Sequence, residues 1–488
     1  MSNGALPSYL SMAKPNPAQN RTPWYKSTAP AYAGIFLWIV FYMGIANFLP
    51  DTGLGLSLAA LVIAALICHF LFYLVPGLFG MKTGYPLYVV GSSTYGTAGG
   101  FIMPGLLMGI LQFGWLGVNT AISSDFILQA FGRPPAVDPA TGQFSGSAAF
   151  TIVAIIWAAL AVFVALRGIQ YLGRVSTFLP IVPLVMILYA CFANVGSAGD
   201  YTAAEAGKPV IGFMGLIGMV VGFFATAGAA GVDFGMGNRN KKDIQLGGLV
   251  GIALAIVVAG GLPLIAAAGA HAANPDLQGY TFNVIIGELA GAKLMFALFA
   301  IASFAPACFC TFIAGNSIGT MFPTLSKTVM VIIGAIVAIF IAVMGWAFNL
   351  ADVFGLIGAS FGPICGSMAA DYLLSGCKWA GPRKGINWAG YIAWAVGFVV
   401  AILPNSMIVN LTGIEFSFIT PAPVIAFLIG FILYYVLAKA GLEPPVVEMA
   451  AAPAKPAGEP GEGPAAPEAA AAEEAIDGAE TEKKEEGK

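Results

Sequence analysis

Ala225-Thr226-Ala227-Gly228-Ala229-Ala230-Gly231 is a run of seven small residues without one bulky packing group, set inside the apolar stretch 210–235. Uninterrupted apolar helices serve as anchors and packing elements. Transport needs open backbone and polar side chains at membrane depth, and this run predicts such a break. Close approach of a neighbouring helix through small residues is the alternative reading. A second interruption is expected in the first apolar stretch, where Gly44-Ile45-Ala46-Asn47 precedes Pro50. An Asn facing hydrocarbon is costly, so Asn47 reads as turned inward. Broken helices in positions one and six mark two five-helix halves related by inverted topology.

The composition around these breaks excludes a soluble fold. Of 488 residues, 58 % are hydrophobic and only 9 % charged, with a mean hydropathy of +0.85. A soluble domain carries about 25 % charged residues. With about 20 apolar residues needed per crossing, twelve spans are expected: 31–50, 55–79, 97–131, 147–166, 174–195, 210–235, 244–270, 292–322, 327–349, 352–375, 387–406 and 416–438. The expected fold is an all-α polytopic membrane protein, its twelve-helix domain filling 31–440 behind an N-terminal segment 1–30 with no apolar signal core.

Residues 1–440 hold 17 Lys/Arg and 12 Asp/Glu, net +5, whereas 441–488 hold 4 and 12, net −8. With the N-terminus in the cytoplasm, fourteen of the 17 cations fall on the inner side, and only Arg133, Lys208 and Lys293 fall outside. That bias follows the positive-inside rule and places both termini in the cytoplasm, for a chain in the cell inner membrane. The tail, rich in Ala, Pro and Glu, has few large apolar groups to offset its ordering entropy and reads as disordered. Asp233 and Asp371 lie at the inner ends of spans six and ten, where pairing with a nearby Lys or Arg is expected.

The scarcity of chemistry-bearing residues narrows the function. Five of the six cysteines sit in apolar runs, and Cys377 lies in a loop, so neither a disulfide nor a metal site is expected. No HExxH, CxxC or GxxxxGK[ST] pattern occurs, which excludes zinc hydrolases and P-loop ATPases. No catalytic constellation, cofactor site or nucleic-acid surface is read, and the chain is expected to be a monomer in lipid.

What remains is a set of flat and amide groups. Met108, Gln112, Trp115 and Asn119 recur at helical spacing and share one face of span three. Gln112 offers donors and an acceptor, and Trp115 a large π surface. Bonding of these groups to a neighbouring helix is the alternative. Phe223 and Phe224 immediately precede the break in span six. An aromatic there, opposite Trp115, would sandwich a planar ligand whose edge the amides read. Neutral hydrogen-bonding heterocycles fit, and nucleobases are the obvious instance.

Four motifs give the chain a family likeness over residues 31–438. They are Gly80-Met81-Lys82-Thr83-Gly84, Gln112-Phe113-Gly114-Trp115-Leu116-Gly117, Thr226-Ala227-Gly228 with Asp233-Phe234, and Ala370-Asp371-Tyr372-Leu373. In these the chain resembles the nucleobase–cation symporters, in particular the cytosine and purine–cytosine permease branch. The resemblance implies a core of two inverted five-helix repeats plus two peripheral helices, working by alternating access. It implies base binding by Gln112 and Trp115, and by Phe224, Thr226 and Ala227 at the sixth-span break, with Phe223 adjacent. By position it also puts Cys308 where relatives carry a base-binding Asn. Pro306 and Ala307 stand where relatives carry hydroxyls for sodium, which leaves backbone carbonyls around Gly44 and Asn47, with Ser303, for the coupling ion. Sodium and proton both stay open, as does an altered register that recruits Asn316.

The leading expectation is secondary-active uptake of a nucleobase or related heterocycle: cytosine, a purine, a hydantoin or a thiamine-precursor pyrimidine. An amino-acid or amine carrier on the same scaffold is the alternative within transport, and a membrane sensor signalling through its acidic tail the alternative outside it. Deletion of the tail separates the last two classes: a carrier keeps its uptake, whereas a sensor loses its output.

Overall fold

The computed structural model describes residues 6–167, 178–204, 207–416 and 418–449. Residues 174–177 of the expected fifth span and the tail from 450 onward lie outside them. Among the described residues the chain forms helices joined by turns, with isolated bridges and no named strand.

Nine helices among the described residues are long and apolar enough to cross a membrane: Ile39–Thr83, Phe101–Ala130, Ala148–Arg167, Ile181–Asp200, Pro209–Ala229, Lys241–Ala273, Ala292–Met321, Leu350–Leu374 and Ala422–Leu442. Trp388–Ile402 and Ser406–Thr412, bent by 75°, make a tenth when taken as one span. Two of the twelve expected spans differ. The ninth is the shorter helix Lys327–Val343, closed by Gly345 in the left-handed region at φ 77°. The first is no continuous helix but Thr28–Phe36, Ile39–Tyr42 and a 3-10 turn Ile45–Phe48. Gly53, at φ 67° and ψ 173°, then kinks the chain into span two, a backbone conformation that favours glycine.

Small residues set the spacing between helices. Span ten places Gly358, Gly362 and Gly366 along span twelve, and a Cβ on Gly366 would lie 2.1 Å from the Phe427 carbonyl oxygen. Helices without a hydrophobic drive between them associate through this kind of backbone approach. Spans ten and twelve, three and eight, six and ten, and six and two form the most extensive pairs.

The two described end segments meet on one face of the bundle. Tyr9 donates its hydroxyl to the Thr97 carbonyl, Asn16 donates to the Met236 carbonyl, and Arg21 donates to the Met81 carbonyl. Lys82 reaches the hydroxyl of Tyr372 and the carbonyl of Cys377. At the centre of this face the side chain of Arg383, 6 % exposed, pairs with Asp371 at 2.9 Å and with Glu443 at 3.1 Å. Arg383 also donates to the Ser93 carbonyl, while Ser93 and Thr94 donate their hydroxyls to Asp371. The expected cation partner of Asp371 is thus present. Asp233 differs: it accepts the Leu87 backbone N–H at 2.9 Å, at the start of helix Leu87–Tyr95, in place of a cation. The described end of the chain is held as well, because Lys384 N–H donates to the Pro445 carbonyl and Val447 N–H to that of Pro382. A tail deletion that spares these bonds therefore begins at residue 450.

Arg383→Ala leaves Asp371 buried without its counter-charge, and a loss of about 3–5 kcal/mol is expected. A melt of the purified protein in detergent reads it as a large fall in Tm. Arg383→Lys recovers only part of the loss, since one ammonium cannot reproduce a planar fork on three acceptors.

Candidate functional site

Span three runs as one helix from Leu107 to Ala130 and turns its polar face inward. Gln112 is 8 % exposed, and its amide nitrogen lies 3.6 Å from the Met108 sulfur. A thioether is a weak acceptor, so this amide keeps its capacity for a stronger partner. Asn119, two turns further on, is committed. It donates to the Ser303 carbonyl at 2.8 Å and accepts from Trp157 Nε1 and the Ser123 hydroxyl. The shared face thus divides: Asn119 ties spans three, four and eight together, and Gln112 remains available.

Trp115, 4 % exposed, stands in a group of rings drawn from four spans. Its centroid lies 5.1 Å from Phe223 edge-on, 5.5 Å from Trp38 and 5.6 Å from Phe354. Phe223 and Phe354 meet edge-on at 5.3 Å. These separations and tilts are the favoured ones for aromatic quadrupoles. Phe224 packs elsewhere, at 5.7 Å from Phe36 and 5.8 Å from Tyr32. Successive residues of a helix point about 100° apart, so only one of the pair turns toward Trp115, and that residue is Phe223.

The interruption of span six falls at the end of the small-residue run. The helix Pro209–Ala229 stops, Ala230 turns, and Gly231–Gly235 resumes. Thr226 is buried, and the Ala227 carbonyl accepts the Tyr32 hydroxyl at 2.9 Å. In span one the main interruption comes earlier than expected, at Leu37-Trp38, where Trp38 is extended with φ −69° and ψ 129°. Gly44 and Asn47 belong to the second interruption, where Asn47 N–H donates to the Gly44 carbonyl. The Asn47 side chain is exposed, whereas Ser303 is buried against Asn119. Cys308 is buried with Phe113, Leu116 and Ala161, whereas Cys310 falls in the same core as Trp115.

Trp38 and Phe354 escaped the sequence reading. The stretch Ile35-Phe36-Leu37-Trp38-Ile39-Val40-Phe41 contains no Gly or Pro to announce a break. A tryptophan in mid-span, away from the interfacial belts where it is enriched, was the available signal. An open cavity of about 340 Å³ lies apart from the rings. Its lining includes Gln129, Asp138, Gln278, Asn283 and Glu288, and it shares no residue with the ring group.

This arrangement, with interrupted first and sixth spans around a buried aromatic and amide cluster, is that of a multi-pass membrane transporter. Permeases for cytosine/purines, uracil, thiamine and allantoin form the family whose sequence pattern matches residues 15–430. The chain belongs to that family, the nucleobase–cation symporters. Its fold is similar to that of Mhp1 in the inward-facing conformation, at 17 % identity and TM-score 0.67, covering 92 % of this chain and 97 % of the other. It is also similar to Mhp1, a nucleobase-cation-symport-1 family transporter, in a closed conformation with bromovinylhydantoin bound, at 17 % identity and TM-score 0.62 over 87 % and 96 % of the two chains. A Na+-coupled sialic acid symporter in its substrate-bound outward-open state matches at 12 % identity and TM-score 0.55, over 90 % and 93 %. No curated protein sequence matches the chain.

The ring group depends on the approach of spans six and ten. A Cβ on Gly222 would sit 2.4 Å from the Phe354 carbonyl oxygen. Gly222→Ala should force the two spans apart at a loss of about 1–3 kcal/mol. A fall in Tm is the expected reading, and an unchanged Tm would show that the spans separate freely here.

Proposed function

We propose that the protein carries a nucleobase or related planar heterocycle across the membrane by cation-coupled alternating access. Cytosine, a purine, a hydantoin and a thiamine-precursor pyrimidine are the candidate solutes. The observation that carries this reading is the uncharged ring group around Trp115, with the Gln112 amide one turn away and bonded only to a thioether. An amino acid brings a carboxylate that calls for a cationic or N–H partner, and the rings of Trp38, Trp115, Phe223 and Phe354 offer no cation. A flat solute that slides between these rings replaces one aromatic contact with another. Such contacts are each worth about 0.5–1.5 kcal/mol beyond burial, so the exchange is nearly balanced and Gln112 decides which edge is accepted.

In this reading Trp115 and Phe223 flank the solute, Thr226 and Ala227 border it from the break, and Phe224 and Cys308 support the site from behind. The coupling ion, sodium or a proton, belongs to the interruptions of span one, where closure would bring the Gly44 and Asn47 backbone toward span eight and Ser303. Both termini are placed in the cytoplasm, and the chain acts as a monomer in the inner membrane.

Thermal stability of the purified protein, measured with each heterocycle in sodium and in potassium at two pH values, tests this reading. A solute at about 100 times its Kd raises stability by about 2.7 kcal/mol. A shift that needs sodium identifies that ion, and one that follows pH identifies the proton. Gln112→Ala should reduce uptake at least about tenfold, in keeping with loss of a buried hydrogen bond, at an unchanged membrane level. Absence of any shift across the solutes, or full uptake by Gln112→Ala, rejects the site.

A further inference from the structure

We propose that Trp38 determines specificity in this site, its indole N–H donating to a ring carbonyl oxygen of the solute. The inference rests on the reading of the ring group as the substrate site. Trp38 is 8 % exposed, and its Nε1 is sealed from solvent without a hydrogen-bond partner. Other tryptophans of the chain are served differently. Trp157 donates to Asn119, Trp379 to the Val90 carbonyl and Trp394 to the Ser360 carbonyl. A buried donor left unpaired is a standing loss to the folded protein, and nearly all such groups find partners. Here the unpaired donor lies at the main interruption of span one, in a ring 5.5 Å from Trp115 and 6.4 Å from Phe223. The neighbouring carbonyl of Leu37 is already taken by the Tyr42 hydroxyl.

The chemistry of the indole fixes the class of partner. Its N–H is a donor only, so the solute supplies an acceptor. The Trp38 ring is tilted by 50° to that of Trp115, and a solute stacked on Trp115 lies oblique to it. An exocyclic carbonyl oxygen projects beyond its ring and accepts over a broad range of directions. A bare ring nitrogen has one lone pair confined to the ring plane. The site therefore favours oxo-heterocycles over amino-heterocycles that lack a carbonyl.

The test compares wild type with Trp38→Phe, which keeps an aromatic ring and deletes the donor. Cytosine, uracil, hypoxanthine and hydantoin serve as oxo probes, with adenine and 4-aminopyrimidine as probes without a carbonyl. The ligand-free variant should keep a cooperative melt, the lost ring volume being set against removal of an unpaired buried N–H. Its Kd for whichever oxo probes bind should rise about tenfold, the effect of one lost hydrogen bond to a buried acceptor. Affinity for the probes without a carbonyl should not change. Unchanged oxo affinity in Trp38→Phe overturns the assignment while the site reading stands, and so does an equal loss for both probe sets. If wild type binds none of the probes, the parent reading has failed, and the assignment fails with it.

Discussion

A bilayer offers the peptide group no partner, and every departure from the helix in this protein has had to find one inside the protein. Hydroxyls of span one perform much of that service. Tyr32 donates to the Ala227 carbonyl beside the break in span six, and Tyr42 donates to the Leu37 carbonyl beside the break in span one. Where span one is interrupted again, the Met43 carbonyl takes the Phe282 N–H from the segment after span seven. The two interrupted spans are thus stitched to each other and to the second half of the chain. That stitching permits a broken backbone at depth, and the ring group occupies the place where the backbone is broken.

Much of this was legible in the sequence, for reasons that differ from residue to residue. Seven consecutive small residues located the break in span six to its last positions, because a helix without bulky side chains has little else to do in a membrane. Gln112 and Trp115 were recognisable as chemistry out of place. The remainder needed coordinates. Phe223 and Phe224 are identical in type and adjacent, and only the rotational phase of their helix decides which one meets Trp115. Asn119 is an amide on the same face as Gln112, yet its neighbours Trp157 and Ser303 come from remote parts of the chain. The Leu37-Trp38 interruption hides among large apolar residues, so a reading that looks for small ones passes over it. Likewise, span nine ends early because Gly345 adopts a left-handed turn, a conformation that composition alone does not reveal.

Span ten links the two polar systems. Phe354, near one end of the helix Leu350–Leu374, belongs to the ring group, and Asp371, near the other, holds Arg383. Seventeen residues at about 1.5 Å each separate them by roughly 26 Å. Between them, Gly362 and Gly366 lie against the backbone of span twelve, and Gly358 against the Pro423 ring and the Gly222 backbone of span six. The helix is held along its length as well, by the Ser367 hydroxyl on the Gly430 carbonyl and by Trp394 on the Ser360 carbonyl. Span ten thus joins the ring group and the buried Arg383–Asp371 pair in one continuous helix.

The cysteine inventory has a practical side. Cys68, Cys191, Cys308, Cys310 and Cys365 are buried, and Cys377 alone is exposed. It sits in the turn after span ten, in a left-handed conformation at φ 59°, with its carbonyl held by Lys82 of span two. The native chain therefore carries one accessible thiol, already positioned on the face where the two described end segments meet. A fluorophore or spin label attached there needs no engineered background, and it would read the local environment of the turn where Lys82 of span two holds the end of span ten.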